Sequence, residues 1–309
     1  MRRPGAVSVF AIPFGLAVLI PWALVAAGLG EETPAGPLSI TYGDPRQVAT
    51  LANSQINESS GLACGRRNRG VFWTHNDSGD PARVFAFTIR GEHVATYTIV
   101  GAQAVDWEDM ASFEAQGKGY LLLGDVGDNE RRRQKYTLYA VAEPPVGTPE
   151  QPAAGQVRVG RQMDFTYEDG PHNCEAVAID PTDGMIYLVS KKEDGGSCKV
   201  YALPWQQPES RTAVVAKAVA TLAIPAATAM DISPDGLRAV VLTYGDAYEY
   251  ARRDREKWSE AFARPPRVLR MPQRRQGETV CYGPDGKTLY LTSEFAPTPL
   301  FEVPVAEPQ

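Results

Sequence analysis

Short apolar runs broken by Gly, Pro, Asn and Asp fill the chain from Arg46 onward, and they recur in a constant order. Each unit opens on a strand that aligns on one apolar residue, two places after an acidic or small polar position. The five aligned residues are Leu62, Met110, Val177, Ile232 and Val280, at spacings of 48, 67, 55 and 48 residues. A turn signal follows each, at 65–70, 116–119, 180–184, 233–236 and 283–286, and the last two read Pro-Asp-Gly after a Ser or Gly. Pro presets the first turn position, and Gly or Asp supplies the later ones. Second strands are then expected at 71–74, 120–123, 185–189, 239–243 and 288–292, and third strands at 83–87, 136–140, 199–203, 247–250 and 300–303. Fourth strands are weaker, as at 93–97 and 218–222.

Four strands per repeat at this spacing predict an all-β fold, a β-propeller of five blades with four antiparallel strands each, over residues 39–306. The fifth unit holds three strands before Pro304, so the spare strand at 46–51 supplies its fourth and closes the ring. A Pro/Gly-rich insert from Glu143 to Gly160 lengthens the second unit and is too short for another blade. Six blades is the alternative count if that region is divided differently.

The first thirty residues stand apart. Arg2 and Arg3 precede an apolar run from Ala6 to Gly30, followed by Glu31 and Glu32. This is the pattern of a signal peptide with small residues near Ala26, or of an N-terminal membrane anchor, since the run is also long enough to span a bilayer. Either way the basic flank stays inside and the rest is exported. The expected location is extracytoplasmic, with 31–38 as a linker and 307–309 as a tail. An oxidising compartment makes the four cysteines disulfide candidates. Cys174 with Cys198, and Cys64 with Cys281, are the pairings the blade layout favours, with buried thiols as the alternative.

Composition narrows the partners. Net charge is −6, and Arg131-Arg132-Arg133 is the longest basic run, so nucleic acid is not an expected partner. Membrane contact is expected only through the N-terminal segment, and a monomer is the expected state. No Gly-x-Ser-x-Gly elbow, His-Glu-x-x-His pair or phosphate loop occurs, and the cysteines lack zinc-site spacing.

The candidate chemistry follows from sorting loops by face. In a propeller, loops leading into first strands and loops leaving second strands open on one face, around the channel mouth. That face collects Glu58, Asp106 to Asp109, His172 to Glu175 and Glu278 from the first set. From the second set come His75 to Asp80, Asp125 to Asn129, Lys191 to Gly195, Tyr244 to Asp246 and Glu294. Glu108, Glu175 and Glu278 hold equivalent positions, with Glu58 near that level in the first unit. Carboxylates gathered round a narrow channel repel one another unless protonated or bound to a cation. Carboxylate and amide oxygens suit a hard ion, chiefly calcium. Glu58, Asp77, Glu108, Asp128, Asn173, Glu175 and Glu278 are therefore the candidate metal ligands. The competing reading is that these groups accept backbone hydrogen bonds from neighbouring blades and tie the ring together. His75, Asp125 and His172 are candidate acids or bases. Asn76, Trp107, Asn129, Lys191 and Tyr244 are candidate substrate contacts, with turn geometry, core packing or plain solvation as the alternatives.

Asn-Asp-Ser-Gly-Asp at 76–80, Asp-Trp-Glu-Asp-Met at 106–110, Gly-Asp-Val-Gly-Asp-Asn at 124–129 and Asn-Cys-Glu-Ala-Val at 173–177 together resemble a group of exported bacterial β-propeller proteins of unassigned activity. More distantly, the layout is similar to calcium-dependent propeller hydrolases of the gluconolactonase and phytase types, in residue types and face rather than in any motif in register. The resemblance implies calcium held by Glu, Asn and Asp at the channel mouth; those families have six blades. Two functions are open: a calcium-assisted hydrolase of a lactone, phosphoester or sugar derivative, and a non-catalytic propeller that binds a glycan, peptide or protein on the same face.

Overall fold

A computed structural model describes residues 40–191, 196–205 and 214–306. The expected signal or anchor, its linker, the 307–309 tail and residues 192–195 of the third unit's loop lie outside the described residues. Among the described residues, no helix is long and apolar enough to cross a membrane.

The protein is a β-propeller. Its N-terminal strand β1 (Arg46–Thr50) is followed by a first unit made of β2 (Ser59–Cys64), β3 (Val71–Asn76), β4 (Arg83–Thr88) and β5 (His93–Val100). The second unit holds β6 (Trp107–Ala115), β7 (Lys118–Asp125) and β8 (Tyr136–Ala142). After β9 (Ala153–Arg158), it takes β10 (Arg161–Tyr167) as its outer strand. The third unit is β11 (Cys174–Ile179), β12 (Met185–Ser190), β13 (Cys198–Pro204) and β14 (Val214–Leu222). The fourth is β15 (Ala227–Ile232), β16 (Arg238–Thr243), β17 (Ala247–Ala251) and β18 (Arg267–Leu269), with a one-turn helix α1 (Trp258–Ala261) before β18. Last come β19 (Cys281–Tyr282), β20 (Leu289–Thr292) and β21 (Pro299–Val303), and β1 pairs antiparallel with β21 as the fourth strand of that sheet.

The first strands touch in the order β2, β6, β11, β15, β19, and β19 returns to β2. They are buried along most of their length because each lines the channel on one side and neighbouring strands on the others. The Pro-Asp-Gly turns are structural: Asp235 accepts the Leu237 N–H, and Asp285 accepts those of Lys287 and Thr288. Gly236 and Gly286 occupy the left-handed region that these turns require.

Two features differ from the sequence expectation. The 143–160 insert is not a plain connector. It carries β9, which leaves the second unit to pair in parallel with β5 of the first, and β10 then returns to pair with β8 and, in parallel, with β14 of the third unit. The Ala153–Arg158 segment has too few apolar residues to announce a strand, and pairing comes from the open edge that β5 offers. The cysteines are thiols, not disulfides. Cys174 belongs to the core layer between the second and third units and Cys198 to the layer between the third and fourth, on opposite faces of one sheet. Cys64 and Cys281 do share a layer between the first and fifth units, packed among Phe72, Phe87 and Tyr290.

Candidate metal and ligand site at the channel mouth

Backbone hydrogen bonds join the two loop sets that the sequence places on one face. The Asp77 N–H donates to Glu58 O, those of Val126 and Gly127 to Asp106 O, that of Lys191 to Asn173 O and that of Glu294 to Gln276 O. Each bond fastens the exit of a second strand to the approach of a first strand. Side chains from four units are thereby drawn to one mouth.

The carboxylates of Asp77, Asp106 and Glu108 come within 4.8 Å of one another, and so do those of Asp77, Glu278 and Glu294. Asp77 is common to both groups. Glu108, Glu278 and Glu294 are buried, whereas Asp77 and Asp106 are half-buried. Gly127 permits the approach, because a Cβ there would collide with the carboxylates of Glu108 and Asp106. Two units break the ring of glutamates, the first with Ser60 and the fourth with Met230 at the equivalent position.

Electrostatics follow from crowding and burial. Burial first, then the charges of Glu175, Asp77, Asp106 and Glu278, push the Glu108 carboxyl well above the usual carboxylate range. Burial, a hydrogen bond to Glu278 and the charges of Glu278, Asp77 and Glu58 raise Glu294 to about 9. Burial raises Asp77 to about 6 despite the Ser78 N–H, with Glu278, Asp106 and Glu58 adding to the rise. Burial also raises Asp106. Such a cluster either retains protons or takes up a cation. Its donors are all oxygen, which fits calcium rather than a soft metal.

The other mouth residues are a buttress around this cluster. Glu175 accepts from Asn173 Nδ2 at 2.8 Å and pairs with Lys191 Nζ at 3.0 Å. Lys191 lies 5.4 Å from the centre of the Tyr244 ring, and the Tyr244 hydroxyl donates to Glu278 at 3.2 Å. Burial opposes the Lys191 charge, but Glu175 and Tyr244 outweigh it and raise its pKa. Asn129 is exposed and accepts from Asn173 Nδ2 at 3.1 Å. Glu58 is half-buried beside Asp77.

Several predicted residues are engaged elsewhere. His75 is fully buried, donating from Nδ1 to Asn76 O at 2.9 Å and packed edge-on against Trp107; burial lowers its pKa to about 4. Trp107 is itself buried and donates to Gln103 O, so it presents no platform at the mouth. His172 faces the outer strands, bonded through Nε2 to Asp169 and to the Tyr201 hydroxyl. Asn76 anchors the 55–58 segment, accepting from the Asn57 and Glu58 N–H groups and donating to Gln55 O. Asp128 caps its own loop by accepting the N–H groups of Arg132 and Arg133 and the Tyr136 hydroxyl. Asp125 accepts the Asp106 N–H and pairs with Arg133 at 2.8 Å.

Reasoning from residue types places Asp109 with the mouth acids, but its role is different. It is fully buried and accepts the N–H groups of Met110, Val177 and Met230, tying the first strands of three units across the channel. Asp231 does the same for Ile232 and Tyr282. Each tie-making acid thus sits one residue after the mouth-level position, Asp109 after Glu108 and Asp231 after Met230, and alternation along the strand separates the two roles.

No family model matches the chain, and no curated protein matches it. Solved structures do. One is the PQQ-bound aldose sugar dehydrogenase of Streptomyces coelicolor, 12% identical, with 88% of this chain and 100% of that chain covered at a TM-score of 0.50. Another is from a nidogen/laminin complex, 13% identical, with 77% of this chain and 73% of that chain covered at a TM-score of 0.45. At this identity the first shows a shared fold and nothing more.

Proposed function

We propose that this is an extracytoplasmic propeller whose channel mouth binds calcium through Asp77, Asp106 and Glu108, and that the loaded site hydrolyses a small polar or anionic substrate such as a lactone, phosphoester or sugar derivative. The observation that carries the reading is the sharing of Asp77 between two carboxylate groups, each within 4.8 Å. Five acids in that space are stable together only with protons or a cation among them. A calcium ion held there would polarise a carbonyl or phosphoryl oxygen of the substrate. Glu294, whose carboxyl pKa is raised to about 9 in the ion-free cluster by burial and a hydrogen bond to Glu278, is a candidate to protonate a leaving oxygen. Lys191 and Glu175 fix Tyr244 and Glu278 at the rim and so shape what reaches them. The extracytoplasmic location rests on the Arg2-Arg3 flank and the apolar run from Ala6 to Gly30.

A second reading, a propeller that binds a glycan, peptide or protein without chemistry, is favoured by one observation. His75, His172 and Asp125 already have partners inside the protein. Metal analysis with thermal melts in calcium and in chelator tests the ion, using Glu108→Gln as the control. Calcium at a hundred times its Kd stabilises by about 2.7 kcal/mol, and Glu108→Gln should lose most of that gain. Absence of a bound divalent ion together with identical melts in calcium and chelator would remove the metal from the proposal. A panel of lactones and phosphoesters that stays unhydrolysed by the calcium-loaded protein leaves the binding reading standing.

A further inference from the structure

Beside the carboxylates, and separated from them by Tyr244, lies an open cavity of about 570 Å³ lined by Tyr244, Asp246, Met271, Gln273, Arg274 and Arg275. Tyr244 is 44% exposed and its hydroxyl reaches Glu278, so one ring is a wall of both spaces. The cavity falls within the usual size for a small-molecule site.

The cations around the mouth are not equivalent. Arg133 is paired with Asp125 and Lys191 with Glu175. Arg274 is paired with no carboxylate among the described residues. Its guanidinium donates to the carbonyls of Pro272, Thr243 and Gly245, and its buried Nε has no partner. The Nε edge of the guanidinium packs where Gly277 leaves room, since a Cβ at that position would overlap Nε and Cζ. Burial lowers the Arg274 pKa to about 10, with Asp246 opposing. A cation taken from water without a counter-ion is costly, and an arginine at the edge of a cavity recovers that cost by meeting a planar or tetrahedral oxyanion. Asp246 also lines the cavity; its Oδ1 accepts the Met271 N–H at 3.3 Å, and its charge acts on Arg274 without forming an ion pair with it.

We propose that this cavity is an anion subsite, in which Arg274 and Arg275 receive the carboxylate or phosphoryl group of a small ligand whose other end passes Tyr244 to the carboxylate cluster. The inference rests on the cation reading for that far end, because an anion beside unneutralised carboxylates would be repelled. It narrows the substrate to a monoanion or dianion with a second, oxygen-rich end.

Calorimetric titration of the whole domain with phenylphosphonate and with benzoate, each in calcium and in chelator, tests it. Saturable binding of either probe in calcium is expected, weakened tenfold or more by Arg275→Gln and by Arg274→Gln. Tighter phenylphosphonate binding identifies a phosphoryl ligand and tighter benzoate binding a carboxylate. Arg275 is exposed, so Arg275→Gln keeps the test valid even if Arg274→Gln loosens the loop. Calcium that binds while both probes stay silent overturns the subsite alone, as does probe binding unchanged in both variants. Probe binding that needs Arg274 and Arg275 but is equal in calcium and chelator upholds the subsite and removes its link to the cation.

Discussion

Replacing Asp77 by Asn should move stability in opposite directions with and without calcium. In the ion-free protein the Asp77 charge is unfavourable, since burial and the nearby Glu278, Asp106 and Glu58 raise its pKa from 3.8 to about 6. A rise of that size corresponds to about 3 kcal/mol of cost for the ionised form. Solvent screening of a half-buried group reduces this to about 1–2 kcal/mol. The sign follows from linkage: a folded carboxyl with a raised pKa binds more protons than the unfolded one between pH 3.8 and about 6. Stability from this group is therefore present below that window and lost as pH rises through it. At pH 7.5 in chelator, Asp77→Asn abolishes the cost, and the melting temperature should rise by roughly 2–6 °C. In saturating calcium the wild type should gain about 2.7 kcal/mol at a hundred times Kd, whereas Asp77→Asn, lacking the carboxylate common to both groups, should gain little. Scanning calorimetry of both proteins in both buffers gives the four numbers. An ion-free Asp77→Asn that melts at or below the wild type, or that keeps the full calcium gain, would refute the reasoning.

Two further outcomes are expected. Asp109→Ala strips the acceptor from three buried N–H groups and should destabilise the fold by about 2–4 kcal/mol in urea unfolding, while the surviving folded protein binds calcium with unchanged affinity. A variant that loses calcium without losing stability would assign Asp109 to the mouth instead. His75, held neutral by burial with a pKa of about 4, binds fewer protons folded than unfolded between pH 4 and 6.5, so its contribution to stability is lost as pH falls through that range. NMR of the His75 ring should show it neutral at pH 5.5, and a ring that is charged there would restore it as a candidate acid or base.

The repeat was legible because a propeller repeats its turn chemistry: a Gly-containing turn after a first strand, Pro-Asp-Gly in the last two units, and an apolar second strand are local signals. The glutamates of the mouth were legible for the same reason, as equal positions in aligned strands. What stayed hidden depends on where a side chain goes after the strand is placed. Glu108 and Asp109 are adjacent and alike in type, yet one faces the mouth and the other crosses the channel to Val177 and Met230. His172 and Asp128 lie in loops of the right face but turn toward Tyr201 and Tyr136, since buried hydroxyls there needed partners. Asp106 and Glu294 fall on the mouth face by sequence, and only the fold shows that their carboxylates meet Asp77. Arg274 carried no signal at all, because its importance lies in the carboxylate it lacks. Strand β9 was hidden because the edge it completes belongs to another unit.

The closing pair β1 with β21 joins Arg46 to Glu302, also linked by an ion pair at 2.7 Å. As the chain emerges from its N-terminus, β1 is among the first strands made and the last to find its neighbour. Over that interval it waits as an unpaired edge, and its composition suits waiting: Arg, Gln and Thr flank only Val and Ala, and no residue of it is fully buried even in the finished ring. A hydrophobic strand in that position would tend to pair with another copy before its own partner existed. Ring closure here thus depends on a strand polar enough to be left alone until β21 arrives.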